Sequence, residues 1–156
     1  GGGLVRSLEK VLDPLMPEGD IAVATYRDGT TRTLVTSDAG ECDLPMAVLV
    51  NGNTASAAEL FAASLHDFGK GKVIGMTTFG KGIVQSLFPL EDGDAIKLTT
   101  AKYFTPNGNY IHGVGIDPDI ELEYEYLDPD GEQYEIQYDN QVQKAIEVLS
   151  ENTQSD

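Results

Sequence analysis

Residues 46–75 constrain the fold more than any other stretch of this chain. MAVLVN (46–51) is an unbroken apolar run, typical of a strand buried on both faces. In the segment 55–68, Ala58, Phe61, Leu65 and Phe68 recur at three- and four-residue spacing, which predicts a helix with one face packed inward. Gly69 and Gly71 end that helix, and KVIG (72–75) reads as a second short strand. A strand, a covering helix and a strand in this order form a parallel βαβ unit, so the fold class is α/β.

The flanking segments fit around that unit. Apolar residues at 4, 5, 8, 11, 12 and 15 predict a helix that Pro17 and Gly19 terminate. IAVATY (21–26) and RTLVT (32–36) read as strands joined by an Asp28-Gly29 turn. IVQSLFPL (83–90) and AIKLTTAKYF (95–104) read as two more, and Pro106-Asn107-Gly108-Asn109 turns the chain back into YIHG. Val142, Ala145, Ile146 and Leu149 mark a final amphipathic helix.

Bulk properties exclude several classes of function. A chain of 156 residues is one domain in size. It contains no run of eighteen apolar residues, so nothing in it reads as a membrane span. The formal charge is −16, and residues 117–156 hold 13 acidic side chains against the single Lys144. No basic stripe remains to neutralise phosphates, which excludes nucleic-acid binding. The simplest role for the acidic surface is solvation. A single cysteine, Cys42, excludes an internal disulfide and a cysteine-based zinc site.

Ser56 and Lys81 bring chemistry to the frame. Taken alone, Ser56 and Glu59 form S-x-x-E, the capping-box pattern of a helix start. Lys81 alone would be a surface lysine in the glycine loop TTFGKG. Together, with Gln85 just beyond, they supply a nucleophile, a base and a group to orient the base. A helix starting near Ser56 directly after a buried strand carries the hydroxyl to the carboxyl edge of the sheet, where open α/β sheets bind ligands. The Ala57 N–H at the helix start is a natural oxyanion donor. A lysine base must be neutral, and apolar burial favours that form. Gly80 and Gly82 allow the tight backbone that would turn the amine inward.

NGNTASAAELFAASLHDFGKGKVIGMTTFGKGIVQS resembles the catalytic segment of the C-terminal processing peptidases, or tail-specific proteases. The resemblance continues through YFTPNGNYIHGVGIDPDIEL, and Gly2-Gly3-Leu4 is similar to the close of the family's N-x-G-G-L loop. Thr54-Ala55-Ser56-Ala57-Ala58 varies mildly on the family's S-A-S-A-like run. The resemblance implies a serine endopeptidase on a ClpP/crotonase-like fold of stacked β-β-α units. It makes Ser56 the nucleophile, Lys81 the general base and Gln85 the support of the lysine, with backbone amides of Ala57 and Gly2 as the oxyanion hole. It implies polypeptide C-termini as substrate, no cofactor and no metal, and a periplasmic, cell-envelope or extracellular location.

The family carries a PDZ domain and further strands before the N-x-G-G loop. Residues 1–156 therefore read as the C-terminal portion of the catalytic domain, incomplete at its N-terminus, with 123–156 as an acidic extension ending in a helix. The isolated chain is expected to be weakly active or inactive, and to self-associate so as to cover exposed edges. A second reading, of a different class, is a crotonase-like binding or interaction module without turnover.

Other candidates rank lower. His66 lies about three helical turns from Ser56, roughly 15 Å along the axis, too far for a hydrogen bond. His112 with Asp117 reads as a hairpin residue beside a turn, and the two histidines lack metal-ligand spacing. Asp128-Pro129-Asp130-Gly131 with Glu132 lacks the regular calcium-loop pattern.

Overall fold

A computed structural model describes residues 1–40, 42–128 and 133–152. Helix α1 (Val5–Leu12) runs into a 3-10 turn at Asp13–Leu15. Leu8, Leu12 and Met16, four residues apart, are its buried stripe, whereas Leu4, Val5 and Val11 are exposed. The predicted stripe was therefore too broad. Pro14 lies in the 3-10 turn, and Met16 follows it in extended backbone, fully buried.

Strands β1 (Gly19–Tyr26) and β2 (Thr31–Ser37) form the expected hairpin. At its turn the Asp28 carboxylate accepts from the Thr30 N–H at 2.9 Å, and Gly29 takes φ 84°. Next come β3 (Met46–Val50), α2 (Ala57–Asp67) and β4 (Gly71–Gly75), the predicted parallel unit, in register from Met46 opposite Gly71 to Val50 opposite Gly75. Strands β5 (Ile83–Pro89) and β6 (Ala95–Phe104) are antiparallel, followed by β7 (Ile120–Glu121) and α3 (Asn140–Asn152). The turn at Gly108 forms, its N–H donating to the Thr105 carbonyl at 2.8 Å, but YIHG after it is not a strand.

Two sheets result: antiparallel β2-β1-β6-β5, and parallel β3-β4-β7. Helix α2 lies between them. Its Ala57, Leu60 and Leu65 pack with Leu12, Met16, Ile21, Ala22 and Val35, while Ala62 packs with Val50 and Val73. This corrects the one-sided helix inferred from Ala58, Phe61, Leu65 and Phe68. Phe61 and Phe68 are only half-buried, and small residues at 62, 63 and 64 are buried as well. With a sheet on each side, alanine and serine allow the close approach that a larger side chain would prevent. Likewise β3 is not buried on both faces. It is the outer strand of its sheet, and Leu49 remains 39% exposed.

The acidic segment folds back on the parallel sheet. The Asn140 side chain donates to the Glu123 carbonyl at 2.8 Å, Gln141 Nε2 donates to the Leu122 carbonyl at 2.6 Å, and α3 packs against β3 and β4. No helix among the described residues is long and apolar enough to cross a membrane.

Candidate active site

Because β3 and β4 are parallel neighbours, the segments that follow them leave from one edge of the sheet. Residues 51–56 follow β3 and residues 76–82 follow β4. The Phe79 N–H donates to the Thr54 carbonyl at 2.9 Å and ties the two together. Ser56 stands at the junction of the first loop with α2, at φ 59° and ψ −121°. It is the only non-glycine residue with positive φ among those described. Such a backbone costs about 1–3 kcal/mol and persists where the surroundings enforce it, commonly at a functional residue.

Glu59 does the enforcing. It is 0% exposed, and its carboxylate oxygens face four donors. Oε2 accepts from the N–H of Ser56 at 2.7 Å and from the N–H of Lys81 at 2.8 Å. Oε1 accepts from the Gly80 N–H at 2.7 Å and from the Thr78 hydroxyl at 2.6 Å. The Thr78 hydroxyl in turn accepts from the Ile116 N–H at 2.8 Å. One oxygen thus joins the backbones of Ser56 and Lys81. Read along the chain, Glu59 is half of a capping box. In three dimensions it also organises the lysine loop, and no local pattern announces that second role.

Gly80 takes φ 84°, and a side chain there would meet the backbone nitrogens of residues 113–115 at 2.8–3.1 Å. Gly82 has no unusual φ but lies as close to the His112 backbone. The expected need for both glycines holds, for two different reasons. Gly2 is pressed against the nucleophile position: an added Cβ would lie 2.8 Å from the Ser56 Cβ and 2.9 Å from the Ala55 carbonyl oxygen. The Ala57 N–H, first in α2, has no partner inside the helix.

Ser56, Ala57, Gly2 and the Lys81 backbone are therefore brought together. Lys81 itself is half-buried, and Tyr103, buried on β6, donates its hydroxyl to the Lys81 carbonyl. Tyr103 was another residue that sequence reasoning passed over. Gln85 lies on β5 just after a bulge between Val84 and Gln85, and is exposed. Among the described residues no hydrogen bond joins its side chain to Lys81.

The histidines stand elsewhere. His66 Nδ1 is 3.1 Å from Asp67 Oδ1, and its Nε2 is 3.9 Å from Asp119. His112 is exposed beside the Tyr110 ring, while Asp117 accepts from the Thr77 hydroxyl at 2.8 Å. The weak calcium-loop candidate falls largely on residues 129–132, outside the described residues. A cavity of about 640 Å³, lined by Met46, Gly71, Lys72, His66 and Asp119, lies where β3 and β4 begin, at the opposite edge from Ser56 and Lys81.

Comparison with known proteins places the chain in a family. Residues 1–122 match peptidase family S41. A carboxyl-terminal-processing protease of Synechocystis is 41% identical over 122 residues, 78% of this chain and 29% of the relative. A probable CtpA-like serine protease of Staphylococcus aureus is 34% identical over 155 residues, 94% of this chain and 31% of the relative. The chain thus spans under a third of the length of these relatives. The solved photosystem II D1 C-terminal processing protease superposes with a TM-score of 0.74 at 37% identity, over 82% of this chain and 33% of that one. The tricorn protease, at 24% identity and a TM-score of 0.51, shares the fold. The α/β peptidase fold is the one expected from the sequence, and the chain belongs to peptidase family S41.

Proposed function

We propose that this chain carries the nucleophile and base of a serine endopeptidase that cleaves polypeptides near their C-termini. Family membership supports the reaction class, and the relatives named as carboxyl-terminal-processing proteases support the substrate. The single observation that carries the residue roles is the shared Glu59 oxygen, which couples a strained Ser56 to Lys81.

In this reading the Ser56 hydroxyl attacks the scissile carbonyl carbon while neutral Lys81 takes its proton. The oxyanion is held by the N–H groups of Ala57 and Gly2, at the positive end of α2. Collapse expels the amine, protonated by Lys81, and leaves an ester on Ser56. Water, deprotonated by Lys81, then releases the new C-terminus. Gln85 is proposed to orient the amine from β5. The proposed place of action is the cell envelope, periplasm or extracellular space, on the strength of the family alone.

The test is peptide hydrolysis by the intact protein with Ser56→Ala and Lys81→Ala. Both are expected to lose roughly three or more orders of magnitude in kcat, as removal of a nucleophile or its base does. Each should keep wild-type circular dichroism. Hydrolysis surviving in both variants would refute the dyad, and a wild-type protein without hydrolysis would favour the binding module.

A further inference from the structure

The peptide groups flanking Lys81 are gripped from two sides. From α2, Glu59 holds the N–H groups of Gly80 and Lys81. From β6, Tyr103 holds the carbonyls that follow: its hydroxyl donates to the Lys81 oxygen, and its N–H donates to the Gly82 oxygen at 3.1 Å. Tyr103 is 3% exposed, so its ring cannot swing away without opening the core.

Its surroundings bear on the nucleophile as well. Burial raises the Tyr103 phenol well above the ordinary tyrosine range, hydrogen bonding with the Ser56 side chain opposes the rise, and the nearby Glu59 charge adds to it. The phenol therefore keeps its proton. A phenol has one proton to give, and this one goes to the Lys81 carbonyl. No hydrogen bond joins the Ser56 and Lys81 side chains among the described residues, so what the phenol holds directly is the lysine peptide.

We propose that Tyr103 is a positioning residue of the Ser56–Lys81 pair: its hydroxyl and its N–H fix the lysine peptide against β6 and so hold the lysine in place for the serine. This rests on the reading of Ser56 as nucleophile and Lys81 as base. No covalent bond is made or broken at Tyr103.

The experiment is peptide hydrolysis across pH by the intact protein carrying Tyr103→Phe, with the active-site concentration fixed by covalent titration of Ser56 with a fluorophosphonate. The expected result is a kcat per titrated site lower by roughly ten-fold or more, as displacement of a catalytic group by a fraction of an ångström produces. KM should stay within about two-fold, and the pH midpoint of kcat should move. A variant that merely weakened the fold would lose titratable sites but keep kcat per site and its midpoint, and that result overturns the proposal. Should Tyr103→Phe not fold, a ring-fluorinated tyrosine at the same position keeps the packing and makes the phenol a stronger donor and poorer acceptor. A shifted pH midpoint there supports the proposal, and an unchanged profile overturns it. Failure of the fluorophosphonate to titrate Ser56 in the wild-type protein would sink the nucleophile assignment itself, which separates the two failures.

Discussion

At the scale of single residues, the site is built around a buried carboxylate rather than around the two groups that would do the chemistry. Glu59 has four donors on two oxygens, and each bond is charge-assisted and away from water. Glu59→Gln swaps one acceptor for a donor facing donors. We expect a loss of about 1–3 kcal/mol of stability by urea denaturation, with a larger proportional loss of hydrolysis because both loops shift. Ser56→Gly should do the reverse. Glycine tolerates φ 59°, so the variant should gain about 1 kcal/mol in the same assay, with no hydrolysis. A less stable Ser56→Gly would mean that the backbone is not strained there. That Ser56 opens a helix and that Lys81 sits in a tight glycine loop was legible in the sequence, from the capping pattern and the flanking glycines. The wider role of Glu59 was not, since its other partners lie 19 to 22 residues downstream and only folding brings them close.

At the scale of elements, α2 explains both what was readable and what was not. Its existence, and the parallel pairing of the strands around it, followed from hydrophobic pattern and glycine punctuation. Its environment did not. A three-to-four-residue stripe identifies one buried face, but small residues on the opposite side look alike whether they meet solvent or a second sheet. Ala62 is the diagnostic position, at 0% exposure against Val50 and Val73. Ala62→Leu is expected to cost about 1–3 kcal/mol by overpacking, read as a lower melting temperature. An exposed alanine on a one-sided helix would accept the same change without loss. The sequence also overstated β3, because an apolar run does not reveal whether a strand is central or outermost.

At the scale of the whole molecule, charge and exposed apolar surface oppose one another. The net charge of −16 keeps copies apart. Yet β5 is an outer strand of its sheet, and Leu87, Phe88, Ile96 and Leu98 on the β5–β6 hairpin are exposed. An unpaired strand edge beside apolar side chains favours association. We propose that the chain self-associates through this hairpin, and that salt strengthens the association by screening the repulsion. Sedimentation velocity should show larger species as ionic strength rises, and Leu98→Lys should restore the monomer. A wild-type chain that stays monomeric at every salt concentration would contradict this.

The central claim is that the fold delivers an activated serine at residue 56, with Lys81 as its base. Covalent labelling of the intact protein by a fluorophosphonate, with the modified residue located by peptide mapping, tests it most directly. The account expects modification at Ser56, and a rate lowered by at least about 100-fold in Lys81→Ala. Labelling at another residue, or at Ser56 with equal speed when Lys81 is absent, would contradict it.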